Sequence, residues 1–234
     1  MPVPLILIYI ATALAAYLLG SIPFGFLMAK AKGIDIRSVG SGNIGATNAM
    51  RELGKPAGIF VLLMDALKGY LSCRILPPLI FNSLAPHLSP DGFYSNTSFH
   101  DQGVDFGLKL FVLAGIFAVL GHNYTCWLKF KGGKGIATTA GVYLALAPWA
   151  VLVALVVFIL GLLLTKYVSI GSISAAIALP ATVCVMTPQN VLLCVVTTAL
   201  GALAIYKHKS NIQRLIAGTE NRLGKKLADK GGSK

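Results

Sequence analysis

The 234-residue chain is 56% hydrophobic and only 12% charged, whereas soluble domains carry about 25% charged residues. This composition excludes an ordinary water-soluble domain, and its hydrophobicity excludes a disordered chain. The net charge is +12, from 20 basic and 8 acidic residues. Because the basic residues fall between apolar runs, we interpret them as positive-inside segments that favour anionic membrane lipid, and not as a nucleic-acid site.

The apolar runs are long enough to cross a membrane, which predicts an all-α polytopic membrane protein. They cover residues 3–29, 57–81, 107–121, 136–164, 170–187 and 191–206. The run 136–164 is interrupted at Ala147-Pro148-Trp149 and has a lysine beyond each end, so it should cross twice as two short helices. The sequence therefore predicts seven transmembrane helices, some of them short, with the N-terminus outside and the C-terminus in the cytoplasm.

The distribution of Lys and Arg also predicts which loops share a side. The segment 82–106 contains no Lys or Arg and is predicted to lie outside, as is the turn 187–190. None of the inner segments is long enough for a core of its own, so residues 1–234 are predicted to form one membrane domain with a basic tail at 207–234. Four basic segments are predicted to face the cytoplasm: 30–56, 122–135, 165–169 and 207–234.

Two further sequence features concern processing and metal binding. The N-terminus lacks a basic start and a small-residue cleavage site, which indicates a first membrane helix and not a signal peptide. The four cysteines, Cys73, Cys126, Cys184 and Cys194, form no CxxC pair and no cluster with histidine. We therefore predict no metal site, no disulfide framework and no cofactor.

The first basic segment contains the glycine-rich stretch Gly40-Ser41-Gly42-Asn43-Ile44-Gly45-Ala46-Thr47-Asn48. Its glycines allow positive φ, so backbone amides can converge on an anion, and polar side chains can add donors. If residues 46–53 form a helix, Arg51 shares a face with Thr47 and suits a phosphate. The alternative is a flexible loop that caps an interfacial helix. Residues 40–45 also match GxGxxG, but no strand precedes them, which disfavours a dinucleotide site.

A second glycine-rich segment joins Gly121-His122-Asn123-Tyr124 to Phe130-Lys131-Gly132-Gly133-Lys134-Gly135. It leads directly into a predicted helix at Ile136, where backbone amides and the helix dipole favour an anion. It is not a Walker loop, because glycine follows Lys134 where Ser or Thr would stand. The alternative is that the lysines mark the cytoplasmic side and that His122 is a polar residue at a helix end.

Three more polar pairs stand out. Asp65 and Lys68 lie within an apolar run at i and i+3, which suggests either a functional intramembrane pair or a helix-stabilising ion pair. Ser169 and Ser172 could cap a helix or bind a ligand oxygen. His208 and Asn211 share one face if the last helix continues past Lys207.

The polar clusters all fall on the predicted cytoplasmic side, and no Ser/His/Asp arrangement supplies a base. This one-sidedness favours an interfacial enzyme for anionic substrates. A secondary transporter for organic phosphates would need a polar path at the bilayer midplane, for which the sequence offers only Asp65, Lys68 and Arg74. A membrane scaffold with a basic tail would not need the glycine-rich loops.

Taken in order, these blocks resemble the bacterial acyl-phosphate:glycerol-3-phosphate acyltransferases along nearly the whole chain. The matching blocks are Gly20-Ser21-Ile22-Pro23-Phe24-Gly25, Gly40 to Asn48, Asp65-x-x-Lys68-Gly69, Gly121-His122-Asn123, Phe130 to Thr138, and the tail around His208 and Asn211. The resemblance implies that acyl phosphate donates a fatty acyl group to the 1-hydroxyl of glycerol 3-phosphate. The products would be lysophosphatidate and inorganic phosphate, in the first step of phospholipid biosynthesis.

The resemblance also implies a multi-pass enzyme of the bacterial cytoplasmic (inner) membrane, with its active site on the cytoplasmic face. The enzyme that makes acyl phosphate is a candidate partner, and a substrate phosphate would take the proton in place of a side-chain base. Compared with the family's usual connection, the outer segment 82–106 looks longer. The sequence also predicts that residues 219–234 are dispensable for activity.

Site residues carried over from the resemblance fall into two sets. The implied catalytic residues are Ser41, Arg51, Lys134, Ser172, His208 and Asn211. The implied substrate-binding residues are Gly42, Asn43, Gly45, Thr47, Asn48, Lys68, His122, Asn123, Gly132, Gly133, Gly135 and Thr138.

Overall fold

A computed structural model describes residues 3–88, 99 and 104–223, and these residues contain eleven α-helices and no β-strand. The all-α prediction is therefore confirmed for the described part of the chain. The first five helices are α1 (Val3–Ser21), α2 (Phe24–Lys30), α3 (Ala46–Leu53), α4 (Lys55–Arg74) and α5 (Leu76–Leu88). The others are α6 (Val104–Asn123), α7 (Ile136–Leu146), α8 (Pro148–Thr165), α9 (Val168–Met186), α10 (Val191–Lys207) and α11 (Lys209–Ile216).

The first apolar run is not one continuous helix, because it contains a break at Pro23. α1 ends at Ser21, and α2 begins at Phe24, because Pro23 has no backbone N–H with which to continue the helical hydrogen bonds. The carbonyl of Ile22 at the break accepts a hydrogen bond from the Lys68 Nζ of α4, at 2.7 Å. Farther along, α3 covers residues 46–53, the segment for which a short helix was one interpretation.

The second apolar run differs from its predicted limits. The sequence predicts one run over 57–81 followed by an outer segment at 82–106, but α4 ends at Arg74 and α5 then extends to Leu88. The next described helix, α6, covers residues from Val104 onward, so both ends of the predicted outer segment are helical. The missed signal is Pro77, because proline is favoured in the first turn of a new helix. The remaining residues, 89–98 and 100–103, lie outside the described residues.

The run 136–164 divides as predicted. α7 ends at Leu146, and α8 begins at Pro148, with Ala147 between them. The last helix, however, does not continue straight past Lys207. α10 and α11 meet at an angle of 52°, with His208 at the bend.

By length and composition, four stretches of the described chain could cross a membrane: Leu5–Lys30, Asp105–Leu128, Pro148–Thr165 and Val168–Met186. A fifth is added if α10 and α11 are taken together as one bent span. The protein is thus a multi-pass membrane protein. A total of seven spans requires α4 and α7 to cross as well, although α4 carries a buried charged pair and α7 has only 11 residues.

Small residues bring α4 and α7 close together. A β-carbon at Gly69 would collide with the backbone of Thr138, and one at Gly141 would collide with the backbone of Ala66. Glycine is therefore required at both positions for the observed approach, as in many membrane helix pairs. On α7, the buried Tyr143 hydroxyl donates to Thr197 Oγ1 of α10 at 2.7 Å, which connects this pair to the rest of the bundle.

Candidate active site

A cavity of about 150 Å³ lies where the glycine-rich segments meet the bend between α10 and α11. One part of its wall is polar and contains residues from five separate stretches of the chain. These polar residues are Ser41, Asn43, Thr47, Asn48, Arg51, Asp65, His122, Lys134, Ser169, Ser172, His208, Asn211 and Glu220. Another part is apolar and is formed by Leu62, Ile136, Ala137, Phe158 and Val168.

The Asn48 side chain, which was predicted to bind substrate, makes hydrogen bonds within its own loop. Its Oδ1 accepts a hydrogen bond from the Ser41 amide at 2.9 Å, and its Nδ2 donates to the carbonyls of Ile36 and Val39, both at 3.2 Å. The side chain is buried, and these three hydrogen bonds use its polar atoms within its own loop. Asn48 therefore shapes the loop, although it also lines the cavity.

Some of the first-loop amides that were predicted to converge on an anion are bonded within the protein. The Gly45 amide donates to Asn43 Oδ1 at 2.8 Å, and the Gly42 amide donates to the Val39 carbonyl at 3.0 Å. With the Ser41 amide bonded to Asn48 as well, three of the amides are already used. Gly42 is exposed, has φ 69° and does not line the cavity, so its role is to form the turn. The side chains of Ser41, Thr47 and Arg51 line the cavity and can bind an anion there.

The second loop places a helix N-terminus at the cavity. Gly135, with φ 82°, precedes the first residue of α7, and both Ile136 and Ala137 line the cavity. The first amides of an α-helix have no carbonyl partner within the helix, and they attract anions. The predicted phosphate site at Ile136 thus has the required local structure.

The Lys134 side chain extends from this loop toward the tail, where its Nζ donates to Asn211 Oδ1. The pKa of Lys134 is lowered to about 8, chiefly by burial and to a lesser extent by the nearby Arg214, Arg51 and Lys207, while Glu220 opposes the shift. A buried cation whose surroundings are largely positive lacks a full counter-charge. Binding of an anion would therefore stabilise the charged form of Lys134.

Behind the second loop lies a buried charged cluster. Lys68 Nζ is 2.8 Å from Asp65 Oδ1, and His122 Nδ1 is 3.5 Å from the same oxygen. Asp65 and His122 line the cavity, whereas Lys68 is directed away from it, toward the Ile22 carbonyl. Lys68 thus pairs with Asp65 and does not itself form part of the cavity wall, and its role in substrate binding stays a prediction.

The third loop supplies two buried serines. The Ser172 hydroxyl donates to the Val168 carbonyl at 3.0 Å and leaves its lone pairs free to accept. Neither serine caps α9, because its N-cap is Tyr167 and no side chain bonds there. The capping interpretation is therefore wrong for these residues, and Ser169 joins Ser172 in the cavity wall.

The tail contributes His208, Asn211 and Glu220. His208 Nδ1 lies 2.8 Å from the Ala204 carbonyl, which can only accept, so Nδ1 carries the hydrogen and Nε2 is left to accept another. Asn211 Nδ2 donates to Glu220 Oε1 at 2.7 Å, and Arg214 Nε donates to Glu220 Oε2 at 2.7 Å.

Glu220 is a site residue that the sequence analysis missed. Burial opposes its ionisation, but the hydrogen bonds from Asn211 and Arg214 outweigh this effect and hold its pKa below the usual value. The available signal was an acidic residue in a strongly basic tail. Its position in the cavity wall is a reason to expect that activity depends on part of residues 219–234, which were predicted to be dispensable.

All six predicted catalytic residues come together at this cavity. Six of the twelve predicted binding residues also line it: Asn43, Gly45, Thr47, Asn48, His122 and Gly135. The other six lie outside the wall: Gly42, Lys68, Asn123, Gly132, Gly133 and Thr138. The amides of Gly132 and Gly133 donate to the carbonyls of Asn123 and His122, so these glycines support the loop and do not offer their amides to a ligand.

Comparison with known proteins agrees with this geometry. The sequence profile of the glycerol-3-phosphate acyltransferase family matches residues 10–218. The glycerol-3-phosphate acyltransferase of Geotalea daltonii is 44% identical over 213 residues, which covers 91% of this chain and 96% of the relative. That of Geobacter metallireducens is 46% identical over 216 residues and covers 92% and 98%, respectively.

Solved structures are similar as well. The crystal structure of PlsY (YgiH), an integral membrane glycerol 3-phosphate acyltransferase, in its glycerol 3-phosphate form matches with a TM-score of 0.75 and 38% identity, over 92% of this chain and 96% of that one. Its lysophosphatidic acid form matches with a TM-score of 0.71. Both the fold and the sequence therefore lead to one conclusion: the chain belongs to the glycerol-3-phosphate acyltransferase family and is an integral membrane acyltransferase of phospholipid biosynthesis.

Proposed function

We propose that the acyl donor is an acyl phosphate and that the acceptor is the 1-hydroxyl of glycerol 3-phosphate. The hydroxyl oxygen attacks the acyl carbonyl carbon and forms the ester bond, while the bond from that carbon to the phosphate oxygen breaks. The departing phosphate carries away the electron pair and takes the hydroxyl proton. Lysophosphatidate and inorganic phosphate are the products, and no side-chain base is required.

Two anion-binding groups in the cavity carry this proposal. One is formed by Ser41, Thr47 and Arg51 on and before α3, and the other by Lys134 with the first amides of α7. Two substrates with one phosphate each need two such groups. Catalysis would then consist mainly of holding the two reactants together and stabilising charge on the leaving phosphate.

The remaining catalytic candidates are proposed to orient the reacting groups. His208 Nε2 can accept a hydrogen bond from the glycerol hydroxyl, because Nδ1 is bonded to the Ala204 carbonyl. Ser172 and Asn211 supply polar contacts beside it. The acyl chain would follow the apolar wall toward Leu62, which is 45% exposed at the surface of the bundle.

The size of the cavity supports a compact donor. A volume of about 150 Å³ is small beside the 300–1,000 Å³ of pockets that enclose drug-sized ligands. The nucleotide of acyl-CoA would need a larger pocket with stacking and base-edge contacts. An acyl carrier protein would need a docking surface, and the basic tail is the only feature that suits an acidic carrier.

Purified protein in detergent micelles should therefore convert labelled glycerol 3-phosphate into lysophosphatidate when palmitoyl phosphate is present. At equal concentration, palmitoyl-CoA and palmitoyl carrier protein should give little or no product. A comparable rate with either thioester would contradict the donor assignment and leave the family assignment intact. Product formation in micelles also separates an enzyme from a transporter, because no gradient exists there.

We also propose the membrane arrangement. α4 and α7 complete a set of seven spans with the N-terminus outside and the C-terminus in the cytoplasm, and the protein resides in the bacterial cytoplasmic (inner) membrane. Support comes from the basic segments, all of which then fall on the side of the cavity. The chain would act as one membrane domain that contacts lipid directly, with the acyl-phosphate-forming enzyme as a candidate partner.

Thiol labelling of intact cells tests this topology in a variant whose four native cysteines are replaced. A cysteine at residue 41 or at the exposed position 131 should resist an impermeant thiol reagent, whereas one at Gln189, in the exposed turn before α10, should react. Permeabilised cells provide the control, because all three positions should then be labelled. Protection of residue 189 together with labelling of residue 41 in intact cells would contradict the proposed orientation.

A further inference from the structure

The buried imidazole of His122 lies directly against the glycine loop, which we define as residues 131–135. His122 is 5% exposed and occupies the end of α6. A β-carbon built on Gly133 would collide with Nε2 of this ring, and it would lie 2.8 Å from Cε1 and 3.0 Å from Cδ2. The ring therefore fills the space on the side of Gly133 from which a side chain would project, and it stands in the way of an inward movement of the loop at this residue.

The ring is held from its other side by charged groups. Nδ1 is 3.5 Å from Asp65 Oδ1, a distance that is electrostatic contact and not a strong hydrogen bond. Asp65 is in turn fixed by Lys68 at 2.8 Å, and Lys68 donates to the Ile22 carbonyl at 2.7 Å. A continuous contact thus runs from the break between α1 and α2, through α4, to the glycine loop.

The backbone around His122 is fixed as well. The Gly133 amide donates to the His122 carbonyl at 3.0 Å, and the Gly132 amide donates to the Asn123 carbonyl at 3.2 Å. The Ser21 hydroxyl donates to the Gly121 carbonyl at 3.3 Å, and the Thr125 hydroxyl donates to the Ser21 carbonyl at 2.6 Å. Because Gly121 and Thr125 are both bonded to Ser21 of α1, the segment between them cannot shift without breaking these hydrogen bonds.

We propose that His122, although it lines the cavity, is a positioning residue that sets the depth of the glycine loop and acts on the substrate phosphate through that loop. Its ring fixes where Lys134 and the first amides of α7 stand relative to the substrate phosphate, and the Asp65–Lys68 pair fixes the ring. This inference rests on the proposed assignment of the glycine loop to a substrate phosphate.

Two alanine substitutions in the loop distinguish this role from direct binding. Gly133→Ala introduces a methyl group against the His122 ring, whereas Gly132→Ala introduces one against the His122 and Asn123 backbone. Neither glycine has a positive φ, so alanine is not strained by the backbone at either position. The two variants therefore add the same methyl group to neighbouring residues. They differ in whether that methyl group meets the His122 imidazole or backbone atoms.

Each substitution is combined with His122→Ala in a double-mutant cycle. We expect either glycine variant to raise KM about tenfold for the substrate whose phosphate the loop holds, with a smaller change in kcat. In the His122→Ala background, Gly133→Ala should raise that KM by no more than about twofold, because the space is vacant. Gly132→Ala should keep its full effect there, because its obstacle is backbone.

The measurements are KM and kcat for both substrates, with direct binding of glycerol 3-phosphate by calorimetry in detergent. If His122→Ala does not fold, as judged by thermal unfolding, His122→Asn replaces it, since the shorter side chain also vacates the space. Additive effects in both cycles would overturn the role of His122 while leaving the loop assignment intact. Unchanged KM in both glycine variants would instead overturn the assignment of the loop to a phosphate, and the inference with it.

Discussion

Lys134→Ala should lower kcat/KM for glycerol 3-phosphate by about 10- to 150-fold. A charge-assisted hydrogen bond to a phosphate is worth about 1.5–3 kcal/mol, and each 1.4 kcal/mol corresponds to a factor of ten. The lysine sits in the cavity wall and donates to Asn211, so its charge is directed at the site and not at bulk water. Steady-state kinetics with saturating palmitoyl phosphate measure the effect.

The same substitution should leave the melting temperature unchanged or raise it. Burial and the positive neighbours of Lys134 lower its pKa to about 8, which means that the folded state disfavours its charge. Removing that charge relieves repulsion from Arg51 and Arg214. Lost activity together with retained stability would separate a functional role from a structural one.

The exposed Lys131, three residues earlier in the same loop, provides the control. Lys131→Ala removes an equal charge but should change kcat/KM less than twofold, because solvent and salt screen an exposed lysine. Wild-type kinetics in Lys134→Ala, or equal losses in both variants, would contradict the assignment of Lys134 to the site.

Two truncated chains, one ending at Leu223 and one at Gly218, should differ sharply in activity. A chain that ends at Leu223 keeps Glu220 with its hydrogen bonds to Asn211 and Arg214, and also keeps the bond from the Leu223 amide to the Lys166 carbonyl at 2.7 Å. Its activity should match that of the full chain. A chain that ends at Gly218 loses all of these contacts and leaves Arg214 unpaired beside Lys134.

We expect the shorter chain to lose at least tenfold in kcat/KM, because hydrogen bonds to charged groups are worth about 1.5–3 kcal/mol each. Glu220→Gln in the full chain should lose less, since its amide oxygen can still accept one bond. Activity and thermal unfolding are measured on all three proteins. Equal activity in the two truncated chains would contradict the role given to Glu220.

The helical architecture was predictable because its signals are local. The α3 helix at 46–53, the break at Ala147 and the start of α7 at Ile136 all follow from glycine, proline and apolar spacing within a few residues. The α4–α5 boundary was missed although Pro77 marked it, because the apolar run continues through the break. Hydrophobicity alone does not distinguish one long helix from two.

The members of the site were predictable, but the roles of some were not. Ser41, Arg51 and Lys134 are polar residues in segments that cannot be core, so their convergence on one cavity was a reasonable expectation. Asn43 and Asn48 lie in the same segment, and only the contacts reveal that Asn43 makes one hydrogen bond within the loop whereas Asn48 makes three. Glu220 is nine residues from its partner Asn211, across a turn at Gly218. The sequence does not show that this turn brings the two side chains together.

The three hydrogen bonds of Asn48 have a thermodynamic consequence for the approach of substrate. Fixing the backbone of one residue costs roughly 1–2 kcal/mol of conformational entropy. Because Asn48 ties Ile36, Val39 and Ser41 together when the protein folds, that entropy is lost during folding and not during each catalytic cycle. The first loop is preorganised, and the affinity of its side chains for a phosphate is not reduced by the need to order the segment that carries them.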